Sequence, residues 1–400
     1  SHVMYNAEQL HKKNSSNLKK EKKILFYNKI IDRFLMVFFI FAIFLIMIIN
    51  ILAKDKSFSE IENRTLTTMP KFTISSFMNG DFSEDFSSYI NDNFAGRNGF
   101  LSIKTSFEKL LGKTKINSVY LGKKNYLIQS FTEASEEETS AKINAINSFF
   151  NEHSNLNTNI MLVPTATKVL EEYLPPFSVN DDELAFIDKV FSQLNESIIK
   201  INPYNALYEN KDNYVYYKTD HHWTSNGAYI AYTEFCKALG LTAKSKDEFD
   251  IVNVTDKFYG SLSSKIGVLG NTSDSIELYV PKYSPMVVNY ISEQFKSSTL
   301  FKSEALNTKD KYEVFTGGNH PLINIKSTGD PSKKLLLIKD SYANCFLPFL
   351  TSHYGEIFVV DLRYYYDNIN TLIENNSITD LLFLFNANTF NSDDSILNIQ

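Results

Sequence analysis

Two adjacent histidines, a carboxylate and the only tryptophan of the chain lie together in the stretch Asp220-His221-His222-Trp223. In an extended chain, side chains two positions apart point to the same side. Asp220 and His222 are therefore expected to face one pocket, with His221 turned away. A carboxylate placed in this way can orient an imidazole and stabilise it when it takes a proton. The spacing predicts an acid–base pair, although two histidines beside a tryptophan can also simply pack in a surface loop.

The same residue types suit zinc, because imidazole nitrogens and carboxylate oxygens both coordinate this ion. A zinc site would need a further protein ligand, and no cluster of Cys and His stands elsewhere in the sequence. The two cysteines, Cys236 and Cys345, are too few for a metal knuckle or a disulfide framework. We therefore expect no metal and no other cofactor.

Ser341 is the best candidate for a nucleophile that the acid–base pair could activate. It lies in Lys339-Asp340-Ser341-Tyr342, directly after an apolar run at residues 335–338. Open α/β sheets bind ligands at the carboxyl ends of their strands. A helix that begins there offers backbone N–H groups and a favourable dipole to a developing negative charge. The other interpretation of this serine is an ordinary helix N-cap.

A serine needs a base to react at neutral pH, and the sheet could bring His222 to it. The predicted chemistry is acyl transfer, in which Ser341 attacks an ester carbonyl, His222 takes and returns the proton, and Asp220 holds the imidazole. The Ser341 N–H would stabilise the oxyanion.

Three further residues are candidates for binding the oxyanion or the substrate. Arg363 follows the apolar run 357–360 and is expected at the same edge of the sheet, where it could also be a structural ion-pair partner of Asp361 or Asp340. The other two, Tyr342 and Trp223, directly follow Ser341 and His222.

The elements that must position these residues alternate between apolar strands and helices from about residue 119 onward. Four apolar runs are predicted as buried strands, at residues 160–163, 333–338, 357–360 and 381–384. Helical patterns lie between or beside them, at residues 141–153, 184–199, 228–239, 342–351 and 366–374. This alternation predicts an α/β fold with a parallel sheet flanked by helices.

Three other segments of this region have patterns of their own. Residues 119–121 and 126–128 flank a turn and predict a hairpin. The aromatic run at residues 214–217 is typical of a strand end. Residues 241–330 have no clear period, and we expect them to form an irregular, loop-rich insertion.

An apolar segment near the N-terminus predicts a membrane anchor. Residues 34–49 carry no charge, and the apolar stretch continues to residue 53, which gives about 20 residues, enough to cross a bilayer as a helix. Basic residues precede it, so the N-terminus should be cytoplasmic and the rest outside. A cleaved signal peptide is the alternative, but no small-x-small cleavage site is seen.

We thus predict a single-pass protein of the cell membrane with four parts. They are a cytoplasmic basic tail (1–33), a transmembrane helix (34–53), an extracytoplasmic lead-in that packs on the next domain (54–118) and an extracellular catalytic domain (119–400).

The charge of the part after the anchor limits what it can bind. Residues 1–54 hold nine of the 40 basic and three of the 46 acidic residues, which leaves 31 basic and 43 acidic residues, a net charge of about −12. Such a domain should repel polyanions. Nucleic acid and heavily carboxylated polysaccharides are therefore disfavoured, and a neutral glycan or a small ester fits better.

The motif Asp220-His221-His222-Trp223, followed by Asp340-Ser341-Tyr342, resembles the DHHW family, which is similar to the alginate O-acetylation proteins of the SGNH/GDSL hydrolase-like superfamily. Softer matches are Glu62-Asn63-Arg64, residues 92–97, Gly122 with Tyr126-Leu127, residues 260–267 and Asp361-Leu362-Arg363-Tyr364. The resemblance implies an SGNH hydrolase-like fold and a triad of Ser341, His222 and Asp220, with Asp-x-His before the serine in the chain.

The resemblance also implies a membrane-anchored O-acetyltransferase that modifies an exported polysaccharide through an acetyl-serine intermediate. An MBOAT-type membrane acyltransferase is the implied acetyl supplier, and the polysaccharide synthase complex is the implied partner. Similarity to proteins of acetylated-cellulose operons, together with the acidic charge, makes a neutral, cellulose-like glucan the expected acceptor. A carbohydrate acetylesterase with the same triad and a non-catalytic component of an export complex remain as alternatives.

Overall fold

The computed structural model describes residues 2–55, 58–59, 64–267 and 272–399. The chain divides into two compact units, one of residues 1–59 and 65–99, the other of residues 60–64 and 100–400. Two residues of the motif Glu62-Asn63-Arg64, namely Glu62 and Asn63, lie outside the described residues.

The α-helices range from single turns to one of 51 residues. In chain order they are α1 (His2–Leu52), α2 (Ile74–Met78), α3 (Asp81–Asn93), α4 (Arg97–Leu110), α5 (Glu136–Glu152), α6 (Ala166–Val169), α7 (Glu183–Gln193), α8 (Tyr204–Glu209), α9 (Ser225–Leu239), α10 (Ser261–Lys265), α11 (Leu347–Leu350), α12 (Ile369–Asn376) and α13 (Ala387–Ser392).

The strands are short, as is usual for a globular fold. They are β1 (Phe58–Ser59), β2 (Arg64–Thr65), β3 (Lys115–Ile116), β4 (Val119–Leu121), β5 (Leu127–Gln129), β6 (Asn157–Val163), β7 (Ile199–Ile201), β8 (Phe249–Phe258), β9 (Asp274–Pro281), β10 (Val287–Tyr290), β11 (Phe295–Ser297), β12 (Leu322–Lys326), β13 (Asp330–Lys339), β14 (Tyr354–Val360) and β15 (Asp380–Asn386).

The first unit contains α1, and Phe26–Leu52 of this helix is long and apolar enough to cross a membrane. Length and composition are the whole basis of this assignment, and a signal sequence near the N-terminus meets the same criteria. Near the end of α1, the Asn50 Oδ1 accepts a hydrogen bond of 2.8 Å from the Ala95 N–H. The Tyr89 hydroxyl of α3 donates to Asp55 at 2.8 Å. These bonds tie the α3 end of the unit to the end of α1.

The second unit is built on an eight-stranded sheet in the order β11-β10-β12-β14-β13-β15-β6-β7. Strands β14, β13, β15, β6 and β7 run parallel to one another, and they include all four strands predicted from the apolar runs. Leu335 and Leu337 of β13 enter one buried apolar layer, and Leu336 and Ile338 enter the layer on the opposite face. The predicted α/β fold, a largely parallel sheet between helices, is confirmed.

The prediction for residues 241–330 is wrong. These residues form a long antiparallel hairpin of β8 and β9 and add β10, β11 and β12 antiparallel to the edge of the main sheet. The strands were missed because β10 has only four residues, and its pairing with β12 joins positions more than 30 residues apart. Short strands whose partners are distant leave little local periodicity.

The aromatic run at residues 214–217 also departs from prediction, since a single bridge between Tyr216 and Trp223 replaces a strand. The Tyr217 N–H donates to the His222 carbonyl, and the Thr224 N–H donates to the Val215 carbonyl. The segment therefore folds back on itself as a tight loop. The hairpin of β4 and β5 and the helix after Thr224 agree with prediction.

Glu183 is a buried carboxyl group that fixes the loop after β6. It accepts hydrogen bonds from the Thr165 backbone N–H at 2.7 Å and from the Thr165 hydroxyl at 2.5 Å. The same hydroxyl oxygen caps α6 by accepting from the Thr167 N–H. Burial raises the pKa of Glu183 to about 7, even though the bonds from Thr165 favour its charged form.

We expect Glu183→Gln to flatten the pH dependence of stability. Because the folded pKa of about 7 lies above the ordinary value of 4.5, the folded state binds more protons than the unfolded chain between these values. The free energy of unfolding should therefore fall as the pH rises through this window, by about 3 kcal/mol in total, and level off above it. Urea unfolding of the full chain in detergent at about pH 4.5 and pH 8 measures the change.

Glu137→Gln, at an exposed position in the first turn of α5, is the matched control and should keep the wild-type pH slope. An equal slope in the wild-type protein and in Glu183→Gln would contradict the prediction.

Candidate active site

The histidine loop between Tyr217 and Thr224 is held by a buried carboxylate. Asp274 at the start of β9 accepts hydrogen bonds from the Lys218 N–H at 2.8 Å, from the Thr219 N–H at 2.7 Å and from the Thr219 hydroxyl at 2.5 Å. At its far end the Thr224 side chain accepts from the Gly227 N–H and caps α9. The loop is thus fixed at both ends.

Asp220, His222 and Ser341 form a continuous hydrogen-bonded series. The His222 Nδ1 lies 2.5 Å from the Asp220 Oδ1, and its Nε2 lies 2.8 Å from the Ser341 Oγ. A carboxylate only accepts hydrogen bonds, so Nδ1 carries the proton and Nε2 is left to accept from the serine hydroxyl. This tautomer is the one that lets an imidazole act as a base toward a serine.

Ser341 follows β13 directly and begins a 3₁₀ helix, Ser341–Cys345. The Asp340 carboxylate caps this helix by accepting from the Tyr342 N–H at 2.9 Å, and it also accepts from the Asn386 N–H at 2.8 Å. Both bonds lie at the carboxyl ends of neighbouring parallel strands, β13 and β15. Ser341 itself remains half-buried.

Three aromatic residues join the histidine loop to the serine turn. The Trp223 Nε1–H donates to the Tyr342 carbonyl at 3.0 Å, and the Tyr342 hydroxyl donates to the His221 carbonyl at 2.5 Å. The Tyr312 hydroxyl donates to the Ser341 carbonyl at 3.0 Å, while its ring stacks on His222 with centroids 3.7 Å apart. These contacts fix both partners of the serine–histidine bond.

The expected substrate-binding roles of Trp223 and Tyr342 need correction. The side chains of Trp223 and Tyr342 are fully buried, so neither ring has surface to offer to an oxyanion or a sugar. They hold the backbone of the site. Arg363 lies at the same edge, but its Nε and Nη2 pair with the two oxygens of Asp361 at 2.8 and 2.6 Å. Of the two roles open to Arg363, this geometry favours the structural ion pair.

The protonation states of Asp220 and His221 depend on the groups that contact them. Burial alone would raise the pKa of Asp220, but the neighbouring His222 and His221 and its hydrogen bonds hold this pKa well below its usual range. Asp220 therefore stays ionised and can stabilise a protonated His222. Partial burial, together with the neighbouring His222, lowers the pKa of His221 and so favours its neutral form at physiological pH.

The sequence suggested that the His221 side chain is turned away from the site, but the structure places it beside His222. The His221 Nδ1 lies 2.6 Å from the Ser261 hydroxyl, and its ring lies beside that of His222 with centroids 3.9 Å apart. The Ser261 backbone N–H also donates to the Asp220 Oδ2 at 2.7 Å. Gly260 and Ser261 therefore form a second support of the Asp220 carboxylate.

Sequence reasoning missed several supporting residues. Tyr312 lies in the segment 241–330, which has no clear hydrophobic periodicity, so nothing in the sequence singled it out. Lys339 is a charged residue at the end of an apolar strand, and this could have been noticed. Its buried ammonium group donates to Asn319 and Asn344 at 2.9 and 2.8 Å and lies 3.4 Å from Asp361. The network ties the serine turn to the end of β14.

The ligand atoms of Asp220, His221 and His222 lie within 4.8 Å of one another, as a metal site would require. Each of these side chains is engaged otherwise, however, because His222 bridges Asp220 and Ser341 and His221 contacts Ser261. A metal ion would have to break the Asp220–His222 bond. The donor set therefore fits a proton-transfer pair better than a metal centre.

The protein is thus of the α/β class, with a serine at the carboxyl end of a central strand that is hydrogen-bonded to a His–Asp pair. The chain belongs to the DHHW family, because the family model described as DHHW protein matches residues 110–360.

Solved structures share this fold. A DHHW family protein from Eubacterium siraeum DSM 15702 is 24% identical, with a TM-score of 0.61 over 71% of this chain and 95% of that one. Two structures of Bacillus cereus PatB1 are 19% identical and cover 68% of this chain. One has a TM-score of 0.58 over 97% of PatB1; the other, with a sulfonyl adduct, has 0.57 over 95%. A comparison with curated proteins finds no match.

We expect Gly260→Ala to disable the site, because an added Cβ would lie 2.2 Å from the Asp220 Cβ and 2.5 Å from its Oδ2. Asp220 would have to move, and the Ser261 N–H bond to it would be lost. Covalent labelling of Ser341 by a sulfonyl fluoride, followed by mass spectrometry, should slow by about tenfold or more, since one lost charge-assisted bond is worth about 1.5 kcal/mol or more.

Gly99→Ala is the control, because a Cβ there meets nothing within 4 Å. Its labelling rate should equal that of the wild type. A Gly260→Ala variant with the wild-type urea midpoint and an unchanged labelling rate would contradict the assigned role of this close approach.

Proposed function

We propose that this protein is a membrane-anchored, extracytoplasmic O-acetyltransferase that acetylates an exported polysaccharide. The observation that carries the proposal is the hydrogen-bonded series from Asp220 through His222 to the hydroxyl of the half-buried Ser341. The chain belongs to the DHHW family. The resemblance of that family to polysaccharide O-acetylation proteins supports acetyl as the transferred group.

In the first half-reaction, the Ser341 Oγ attacks the carbonyl carbon of an acetyl ester while His222 Nε2 takes the hydroxyl proton. The tetrahedral intermediate collapses when the bond to the donor oxygen breaks, and His222 returns the proton to that oxygen. The product is an acetyl-serine. Asp220, kept ionised, stabilises the imidazolium in both steps. The Ser341 N–H is the proposed oxyanion donor.

In the second half-reaction, a sugar hydroxyl attacks the acetyl-serine while His222 takes its proton. Collapse of the second intermediate releases the acetylated sugar, and the proton returns to the Ser341 Oγ. The net change moves one acetyl group from the donor oxygen to the sugar oxygen. Water in place of the sugar would make the same site an acetylesterase, so exclusion of water decides between the two activities.

The charge of the chain supports a neutral acceptor. About 43 acidic against 31 basic residues follow residue 54, and this excess would repel a carboxylated polymer. A cellulose-like glucan, which the resemblance to proteins of acetylated-cellulose operons implies, is the proposed acceptor. An MBOAT-type membrane acyltransferase is the proposed supplier of acetyl groups, and the polysaccharide synthase complex is the proposed partner.

The arrangement in the membrane is part of the proposal. Residues 34–53 would span the bilayer, residues 1–33 would be cytoplasmic, and the lead-in (54–118) and catalytic domain (119–400) would lie outside. The apolar helix that ends at Leu52 and the basic residues before it support this orientation.

We expect Ser341→Ala and His222→Ala each to reduce acetyl turnover by about 10³-fold or more, because the nucleophile or its base is removed. Asp220→Asn should cost about 10²- to 10⁴-fold, since the amide cannot stabilise the imidazolium. The assay supplies p-nitrophenyl acetate and a cello-oligosaccharide to the full chain in detergent, and mass spectrometry measures acetylated sugar and acetylated Ser341.

Ser303→Ala is the matched control, because Ser303 also begins a 3₁₀ helix, Ser303–Asn307, but is exposed. It should keep full activity. Acetylated oligosaccharide supports the transferase, whereas free acetate alone with the same dependence on Ser341 would replace it by the esterase. If Ser341→Ala changed neither product, the acyl-enzyme proposal would be wrong, and a non-catalytic role would gain.

A further inference from the structure

Helix α4 (Arg97–Leu110) has its polarity reversed relative to an ordinary surface helix. The side that packs against Ile266 and Gly267 carries polar side chains beside Leu101: Thr105 is buried, and its hydroxyl donates to the Ile266 carbonyl at 2.7 Å. Ser102, on the same side, donates to the Gly267 carbonyl at 3.5 Å. Surface helices of soluble domains usually turn their apolar stripe inward.

The opposite side of α4 and the residue after it carry a stripe of large apolar side chains. Ile103 is 67% exposed, Phe107 58%, Leu110 82% and Leu111 64%. Their spacing of four, three and one residues puts all four on one face of the helix. A continuous apolar face of this kind on a globular protein marks an interaction site.

The charge beside the stripe differs in sign from that of the rest of the unit. Residues 97–115 contain five basic residues and one acidic residue, although the chain after residue 54 has an excess of acidic residues. The bases that belong to the second unit are Lys104, Lys109, Lys113 and Lys115, and Lys113 pairs with Glu108 at 2.8 Å. An apolar face bordered by lysines is typical of helices that lie in the surface of an anionic bilayer.

The position of α4 along the chain also points to a bilayer. The Ala95 N–H, two residues before α4, is bonded to Asn50 near the end of the apolar helix α1. Helix α4 has 14 residues and is about 21 Å long. The helix thus begins, along the chain, shortly after a residue that is bonded to the end of α1.

We propose that the α4 stripe, made of Ile103, Phe107, Leu110 and Leu111, lies in the outer surface of the anionic bilayer that α1 spans. This inference goes beyond the acetyl-transfer chemistry, and it rests only on the proposed membrane anchor. The lysines contact lipid headgroups, and the four side chains enter the boundary with the acyl chains. The catalytic unit is then held to the membrane at a second point, so it cannot swing freely about α1.

The test uses spin labels on single introduced cysteines of the full chain in vesicles of phosphatidylglycerol and phosphatidylcholine. Native Cys236 and Cys345 are buried and leave the introduced site as the accessible thiol. Labels at Phe107→Cys and Leu110→Cys should collide with oxygen and lose collisions with a water-soluble nickel chelate. Phe177→Cys is the matched control, because Phe177 is fully exposed in a loop of the same unit and should collide freely with the chelate.

Phe38→Cys in α1 reports the anchor separately. The docking proposal would be overturned if the label at residue 38 collided with oxygen and not with the chelate, while the label at residue 107 collided freely with the chelate. That result would leave the proposed anchor and acetyltransferase activity intact. Protection of residue 107 from both oxygen and the chelate would show that protein covers the stripe. Spin–spin broadening that weakens on dilution with unlabelled chain would show a second copy there. Either result would also overturn the proposal.

In vesicles of phosphatidylcholine alone, the label at residue 107 should regain part of its collisions with the chelate, because the lysines lose their anionic partners. Identical accessibility in both lipids would overturn the electrostatic part of the docking. Activity toward p-nitrophenyl acetate should be unchanged in Phe107→Ser, which lies outside the catalytic machinery.

Discussion

The candidate site is built around one hydrogen bond, between the His222 Nε2 and the Ser341 Oγ, which joins positions 119 residues apart. Neither group can hold this geometry alone, because a serine side chain rotates freely and an imidazole has two usable tautomers. The fold removes these freedoms from both sides. Asp220 fixes the imidazole, while Trp223, Tyr342 and Tyr312 tie the two backbones together.

Several carboxylates near the site act as supports for the backbone. Asp274 binds the start of the histidine loop, and Asp340 binds the N–H groups that follow β13 and β15. A buried carboxylate that lacks donors is costly, so each of these positions is specified by the N–H groups around it. These charged groups therefore fix the backbone of the site in addition to any chemical role. Gly260 is needed in the same backbone arrangement, because only a hydrogen atom fits between its Cα and Asp220.

The main sheet and helix α4 differ in where their apolar side chains lie. In the sheet, alternate residues of β13 enter two apolar layers, and buried aromatic rings fill the space around the site. In α4 the polar side faces the protein and the apolar side faces outward. An exposed apolar face of this kind is typical of an interaction site, and the proposed bilayer contact rests on this difference.

The α/β class, the four central strands and the apolar helix α1 could be predicted from the amino-acid sequence, which also singled out Asp220, His222 and Ser341 as candidates that the structure joins by hydrogen bonds. These features depend on local runs and periods, which can be read without knowledge of the fold. The tertiary structure decided that residues 241–330 extend the sheet, that Trp223 and Tyr342 are buried supports, and that Tyr312, Gly260 and Ser261 complete the site. These outcomes rest on contacts between distant segments, and such contacts leave no period in the chain.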